Sequence, residues 1–256
     1  MNQTNEKEII CVHGLTKKFK LGSLEKGSAL SNVLRFLSVN NFSSRKIIDA
    51  LHDISFTLNK GENLGIVGKN GSGKSTLLRI LSGIYEPTSG LANIQGRVVY
   101  INGFGQGINP RLTMGENIDL ICAFMGLGYK ETKKIKAEII SFSELGDYLD
   151  TEVFKFSTGM VTRLGFSISI HCLGHINPDI ILIDEAISAG VDASFKKKSE
   201  EKIESLINSG ATCIIVSHDL NQLQKYCDQV IWMEKGKIIK SGAANDVLLD
   251  YTGDPN

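Results

Sequence analysis

The sequence predicts an α/β fold with a parallel-sheet core, a small antiparallel sheet near the N-terminus and an inserted helical segment. The apolar run at 180–183 is uninterrupted, which is typical of a parallel strand buried on both faces, and 211–216 is predicted as another buried strand. Between 111 and 175 the apolar residues recur at helical spacing, without a convincing strand pattern. We therefore expect a single domain in which 1–110 and 176–256 form the α/β core and 111–175 form a helical subdomain.

The composition excludes several broad classes of protein. With 256 residues, of which 42% are hydrophobic, the chain can bury a full globular core. Its 28 basic residues equal its 28 acidic residues, so no overall field attracts nucleic acid or an anionic membrane. Five cysteines without metal-ligand spacing suit buried thiols in a reducing compartment. Because no signal peptide or membrane-spanning run occurs, we expect a cytoplasmic chain without a span of its own.

Two antiparallel strands are predicted near the N-terminus, at 8–15 and 51–58, and a basic stretch at 17–20 follows the first. The insertion at 21–47 is far longer than a hairpin loop. It has the periodicity of an amphipathic helix, with one apolar stripe made by Leu30, Val33, Leu34 and Leu37. Such a helix with basic flanks either packs on its own domain or meets a membrane partner or lipid headgroups, and both uses stay open.

The remaining elements follow from periodicity and turn residues. A short apolar strand is predicted at 64–67, and strand material follows at 91–103. Between them lies a helix with apolar residues at helical spacing, namely Leu77, Leu78, Leu81 and Ile84. Two further helices are predicted at 196–207 and 220–227, before a hairpin that turns at 235–236.

The stretch GKNGSGKS, at 68–75, fits the pattern GxxxxGK[ST] between a strand and a helix. Its glycines let successive backbone N–H groups curl around phosphate oxygens at the positive end of the helix. Lys74 would reach the terminal phosphates, and the Ser75 hydroxyl can bind Mg²⁺. The strand and the helix on either side favour a nucleotide-phosphate loop over a flexible Gly/Ser linker.

Polar residues follow the two long apolar runs, at the strand ends where a parallel sheet presents its ligands. Asp184 ends the first run and can hold Mg²⁺ through water, while Glu185 can orient or deprotonate an attacking water. His218 follows the second run and can contact the γ-phosphate and that water. The other four histidines lack such a placement, and we interpret them as structural.

A second helix start with anion-binding character lies in the helical subdomain. Ser157 and Gly159 open a helix with Met160, Leu164 and Ile168 on one stripe. An ordinary helix cap would also explain Ser157. This turn is distant from the phosphate loop in sequence and belongs to the helical part. We therefore expect a head-to-tail dimer, in which the loop of one copy and the Ser157 turn of the other enclose one ATP.

The order of these motifs resembles the nucleotide-binding subunit of ABC transporters over nearly the whole chain. The resemblance implies a RecA-like P-loop NTPase core, ATP and Mg²⁺ as cofactors, and a homodimer. It also implies that Phe19 stacks on adenine, that Asp192 bridges the subunits, and that a glutamine follows the Tyr100 strand, where Gln106 comes slightly late. The implied catalytic residues are Lys74, Glu185 and His218. The implied nucleotide-binding residues are Phe19, Gly68, Asn70, Gly71, Ser72, Gly73, Lys74, Ser75, Thr76, Ser157, Gly159, Asp184, Asp192 and Gln106, with Ser75 and Asp184 also serving the metal.

Some features of the sequence depart from the common pattern of that family and are similar to one branch of it. The signature reads STGM at 157–160 rather than ending in GGQ, and AISAGVDASFKKKS follows Glu185. With the insertion at 21–47 and the stretch NPRLTMGENI at 109–118, these features are similar to ATPase subunits that export O-antigen, capsule or teichoic acid. This implies a peripheral subunit on the cytoplasmic side of the plasma membrane that drives a separate integral-membrane permease, exports a lipid-linked polysaccharide and binds no nucleic acid.

Two alternatives to that function stay open on the sequence. One is a soluble ABC-type ATPase that acts on nucleic acid or ribosomes without a permease. The other is a transporter ATPase for a different cargo, such as a drug or a lipid. Neither tandem cassettes nor a long coiled coil, which soluble members usually carry, occurs in this sequence.

Overall fold

The structure is a computed structural model that describes residues 7–21, 46–103, 107–184 and 193–253. Four of the predictions made above fall outside these ranges. They concern Glu185, Asp192, Gln106 and the amphipathic stripe within the insertion.

An antiparallel sheet begins the fold, and its three strands are β1 (Glu8–Leu21), β2 (Lys46–Asn59) and β4 (Ser89–Ile94). Their order across the sheet is β2-β1-β4. The boundaries predicted for β1, β2 and the insertion are wrong, because the basic stretch continues β1 by pairing with β2 as far as Leu21 opposite Lys46. Leu21, Lys46 and Ile47 therefore belong to strands, and the insertion leaves and rejoins the sheet at paired strand ends.

The main sheet has six strands, which are β3 (Asn63–Val67), β5 (Val98–Asn102), β6 (Ile180–Asp184), β7 (Thr212–Val216), β8 (Gln229–Glu234) and β9 (Lys237–Ala243). Their order across the sheet is β5-β6-β7-β3-β8-β9. The first five are parallel, and β9 runs antiparallel to β8 across the predicted turn at Lys235 and Gly236. Every residue of β6 and β7 is buried, which confirms the prediction of two buried strands.

Helices cover both faces of the main sheet. On one face, α1 (Lys74–Leu81) and the antiparallel sheet bury a shared apolar cluster against alternate residues of the strands. On the other face lie α5 (Ala193–Ile207), α6 (Leu220–Tyr226) and α7 (Ala244–Gly253). Because α1 ends at Leu81, Ile84 lies beyond it and is exposed, contrary to the prediction.

Three helices in the middle of the chain pack around an apolar cluster of their own. They are α2 (Met114–Phe124), α3 (Tyr129–Ser143) and α4 (Thr158–Ile176). One side of α4 supplies Leu164 and Ile168 to this cluster, as the predicted stripe requires. Its other side supplies Phe166 and Ile170 to the cluster under the main sheet. Helix α4 therefore joins the helical part to the sheet.

The structure shows how far the cysteine thiols are buried and how apolar the helices are. Four of the five thiols are buried, whereas Cys11 is half-buried, so the expectation of burial is wrong for that residue. Within the described ranges, no helix combines the length and the apolar character that a membrane crossing needs.

Candidate functional site

The loop between β3 and α1 owes its shape to glycines with left-handed backbone angles. Gly71 has φ 80° and Gly73 has φ 106°, values that L side chains rarely adopt. A Cβ on Gly73 would also lie 2.7 Å from the Ala50 carbonyl oxygen, and one on Gly68 would overlap the Met233 carbonyl oxygen. The loop therefore needs glycine both for its backbone angles and for its close packing against β2 and β8.

Lys74 begins α1 and is folded back over the loop. Its ammonium donates hydrogen bonds to the carbonyl oxygens of Gly68, at 2.6 Å, and Lys69, at 3.1 Å. Only 6% of the residue is exposed, yet it lines the cavity in front of the loop. Beside it, the buried Ser72 Oγ finds no hydrogen-bond partner in the part of the chain that the structure describes. The loop thus presents a cation and an unsatisfied hydroxyl to one space.

That space is a cavity of about 600 Å³, within the usual range for small-molecule sites. Three parts of the fold line it: the loop and the start of α1, the ends of β5 and β6, and the antiparallel sheet. The lining residues are Phe19, Ile48, Asp49, Ala50, Asn70, Gly71, Ser72, Gly73, Lys74, Ser75, Thr76, Asn102 and Asp184. The fold therefore gathers into one cavity most of the residues that the sequence predicted for nucleotide and metal.

Phe19 and Ile48 form an apolar wall of the cavity. They are direct partners across the antiparallel pair of β1 and β2, so their side chains share one face. The Phe19 ring packs edge-on against Tyr85 with centroids 5.5 Å apart, and the Lys17 ammonium lies 5.1 Å from the Phe19 centroid. These contacts hold the ring in place beside the phosphate loop.

Asp184 ends β6 and supplies a buried carboxylate to the cavity. The residue is 5% exposed, and its Oδ2 accepts a hydrogen bond of 3.0 Å from the Tyr100 hydroxyl. Burial, together with the negative charge of Asp184, raises the pKa of Tyr100 to about 12. Tyr100 is therefore protonated at neutral pH and acts as the donor in this bond.

His218 lies at the same edge of the main sheet but is not part of the cavity lining. It follows β7 by two residues, and Val216 of that strand pairs with Asp184. His218 itself is exposed. His218 therefore lies at the edge of the sheet that the sequence predicted, whereas the cavity within one chain is formed without it.

Ser157 and Gly159 also lie outside the cavity. Ser157 is the N-cap of α4, where its Oγ accepts a hydrogen bond of 3.3 Å from the Met160 N–H. It is exposed, and Gly159 is half-buried. The ordinary capping role considered from the sequence is therefore present, and this cap does not share a cavity with the phosphate loop of its own chain.

Sequence reasoning missed several residues of the site. Ile48, Asp49 and Ala50 line the cavity because β2 begins earlier than predicted. Asn102 lines it as the last residue of β5, where it pairs with Asp184. Asn102 could have been predicted from its position at the end of a parallel strand. The hydrogen bond between Tyr100 and Asp184 left no local signal in the sequence, because it joins residues 84 positions apart.

A glycine-rich loop between a buried parallel strand and a helix, facing a strand-end carboxylate, defines a P-loop nucleotide-binding domain. Residues 51–188 match the model of the family described as ABC transporter. The chain belongs to the ABC transporter family.

Curated relatives also support the resemblance noted from the sequence. The O-antigen export system ATP-binding protein RfbB of Myxococcus xanthus is 36% identical over 95% of this chain, which spans 55% of that protein. The teichoic acids export ATP-binding protein TagH of Staphylococcus saprophyticus is 42% identical over 82% of this chain and 77% of its own length. The resemblance to ATP-binding subunits for polysaccharide export is thereby confirmed.

Solved structures share the fold at low sequence identity. An ATP-binding subunit of an ABC transporter aligns with a TM-score of 0.70 and 20% identity, covering 97% of this chain and 95% of its own. The ATP-binding cassette MJ0796, in a dimeric structure bound to ADP and Pi, aligns with a TM-score of 0.68 and 22% identity, covering 92% of this chain and 98% of its own. The predicted P-loop NTPase fold, with its antiparallel sheet and inserted helices, is confirmed.

Proposed function

We propose that this chain is the ATP-hydrolysing subunit of an exporter, which dimerises on ATP and drives a separate membrane permease for a lipid-linked surface polysaccharide. The single cavity that joins the phosphate loop, the buried Asp184 carboxylate and Phe19 carries the proposal. The polysaccharide is inferred from relatives named for O-antigen and teichoic acid export. The chain would act at the cytoplasmic face of the plasma membrane, without nucleic acid as a partner.

The phosphates of ATP belong at the loop. Backbone N–H groups around Gly71 and Gly73 would hold phosphate oxygens at the positive end of α1. Lys74, now bonded to two carbonyl oxygens of its own loop, would exchange these bonds for contacts to the terminal phosphates. Asn70, Ser72 and Thr76 line the same part of the cavity.

The residues beside the loop fit Mg²⁺. The Ser75 hydroxyl and the Asp184 carboxylate line one cavity and are the oxygen ligands that this small cation prefers. Ser75 would bind it directly, and Asp184 would hold it through water. When bound, Mg²⁺ would neutralise charge on the phosphate oxygens. Glu185, which follows Asp184 in the sequence, would orient or deprotonate the attacking water, and His218 would contact the γ-phosphate.

The second half of the site would come from another copy of the chain. Ser157 and Gly159 begin α4 at an accessible turn, outside the cavity of their own chain. A head-to-tail dimer would bring this turn to the partner's phosphate loop, with Asp192 between the subunits. Gln106 would couple the site to the permease, and the insertion within 21–47 would lie at the membrane face near its entrance.

Two measurements test this function. Titration calorimetry should show MgATP binding that Lys74→Ala abolishes, whereas Phe154→Ala, which changes an exposed ring outside the cavity, should bind like the parent. Affinity purification of the tagged chain from membranes of its native cells should recover a multi-span permease. Failure to bind ATP, or recovery with ribosomes instead of a permease, would contradict the proposal.

A further inference from the structure

A hydrogen bond joins Tyr100 to Asp184 on the metal side of the cavity, and Arg79 lies near Tyr100. Arg79 belongs to α1, Tyr100 to β5 and Asp184 to β6. We infer that Tyr100 is a positioning residue for the Asp184 carboxylate. The inference rests on the proposed function, in which Asp184 serves Mg²⁺.

The bond from Tyr100 fixes the carboxylate in one orientation. A terminal carboxylate rotates easily about its last bond, because that torsion has broad minima. The phenol has a single hydrogen, and it is directed to Oδ2 of Asp184 at 3.0 Å. Tyr100 lies in the middle of β5 and Asp184 ends β6, and these two parallel strands pair directly, so the sheet itself holds the donor and the acceptor. The carboxylate is therefore oriented before a cation arrives.

Arg79 of the phosphate-loop helix lies near the same phenol. Its interactions with Tyr100 and then with Tyr85 raise the pKa of Arg79, so a charged guanidinium stands beside both hydroxyls.

The same arginine reaches the apolar wall. Its Nη1 donates to the Tyr85 hydroxyl at 3.4 Å, and the Tyr85 ring packs against Phe19. Tyr85 therefore lies near the same arginine, whereas the hydrogen bond to Asp184 comes from Tyr100. This difference supplies a matched control, since each variant removes one phenol hydroxyl near Arg79 and only Tyr100→Phe takes a donor from the carboxylate.

A positioning role and a purely structural role predict different results. If Tyr100 only packs β5 onto α1, its hydroxyl contributes to stability and affects nucleotide binding equally with and without the metal. If it orients Asp184, the loss appears only when the cation is present. The informative quantity is consequently the ratio of ATP affinities measured in Mg²⁺ and in EDTA.

The experiment compares the parent, Tyr100→Phe and Tyr85→Phe by titration with ATP in excess Mg²⁺ and in EDTA, together with nucleotide-free unfolding midpoints. In Tyr100→Phe we expect the affinity in Mg²⁺ to fall about tenfold, as for the loss of one hydrogen bond to a charged group, with the affinity in EDTA unchanged. Tyr85→Phe should keep the parental ratio.

The outcomes separate this inference from the proposed function. A parent that binds no ATP in either buffer would remove the proposed function. A parent that binds MgATP, with an unchanged ratio in Tyr100→Phe, would overturn the inference alone. Equal losses in both buffers, or an equal change of ratio in Tyr85→Phe, would also overturn it, because they would show a structural effect that does not pass through Asp184.

Discussion

Phe19 lies directly opposite Ile48 in the antiparallel pair of β1 and β2, and both side chains line the cavity that contains Lys74. The two residues belong to the strand segments on either side of the insertion. A base held against this wall would therefore contact the chain just before the insertion leaves the sheet and just after it returns. The two strand segments that flank the insertion therefore also supply the apolar wall of the cavity.

We expect Phe19→Ala to weaken ATP binding roughly tenfold, because stacking of a base on an aromatic ring is worth about 1–3 kcal/mol. Binding of tripolyphosphate, which has no base, should not change. Titration calorimetry with both ligands measures this difference, and Phe154→Ala serves as the control since that ring is exposed and lies outside the cavity. Equal losses for the two ligands would show that Phe19 supports the loop instead of the base.

Gly73→Ala should destabilise the chain and abolish nucleotide binding. The alanine would adopt a left-handed φ of 106° and bring its Cβ to 2.7 Å from the Ala50 carbonyl oxygen, at a combined cost of about 3 kcal/mol. Gly83→Ala is the matched control, because its φ is 75° but nothing lies within 4 Å of the added atom. It should cost only about 1–2 kcal/mol and leave binding intact. Urea unfolding and ATP titration give both quantities; similar costs for the two variants would refute the packing argument.

Protonation of His171 should lower the free energy of unfolding below neutral pH. The residue is buried in α4, with Nδ1 2.7 Å from the Ser167 carbonyl oxygen and its ring against Phe142. Burial lowers the pKa of His171, and Lys202 and Lys198 act in the same direction, whereas the Ser167 carbonyl and Glu138 oppose it. Because the folded pKa lies below the unfolded value of about 6.5, the stabilisation is complete above that pH and is lost as the pH falls toward the folded pKa.

Urea unfolding at about pH 7.5 and pH 5.5 tests the role of His171. We expect the parent to lose more stability between these values than His171→Gln does. His175→Gln is the control, since that histidine lies near the end of α4, is exposed and faces Glu131 at 3.7 Å. A parental slope in His171→Gln would assign the pH dependence to other groups.

The elements around the phosphate loop were predictable because their signals are local. The buried runs of β6 and β7 show their environment in composition alone, and the loop carries its glycines in a fixed spacing between a strand and a helix. The turn at Lys235 and Gly236 is marked by its residues. These parts of the fold require no knowledge of distant partners.

The parts that escaped prediction depend on contacts between distant residues. Lys17, Lys18 and Lys20 form a basic stretch beyond the predicted first strand, yet they continue β1 because β2 pairs with them after the long insertion. That pairing also brings Ile48 opposite Phe19. The hydroxyl of Tyr100 meets Asp184 only once β5 and β6 are adjacent in the sheet. Helix α7 was missed because few of its residues are buried, namely Ala244, Val247 and Leu248, so its apolar pattern is weak.

The central claim is a composite site made by two copies of the chain, and Glu185→Gln tests it most directly. This variant should bind ATP, turn it over slowly and accumulate as a dimer. Analytical ultracentrifugation in MgATP should show that dimer, and adding Ser157→Arg to the same chain should return it to a monomer that still binds ATP. A Glu185→Gln chain that hydrolyses ATP at the parental rate, stays monomeric with ATP bound, or dimerises regardless of Ser157→Arg would contradict the account.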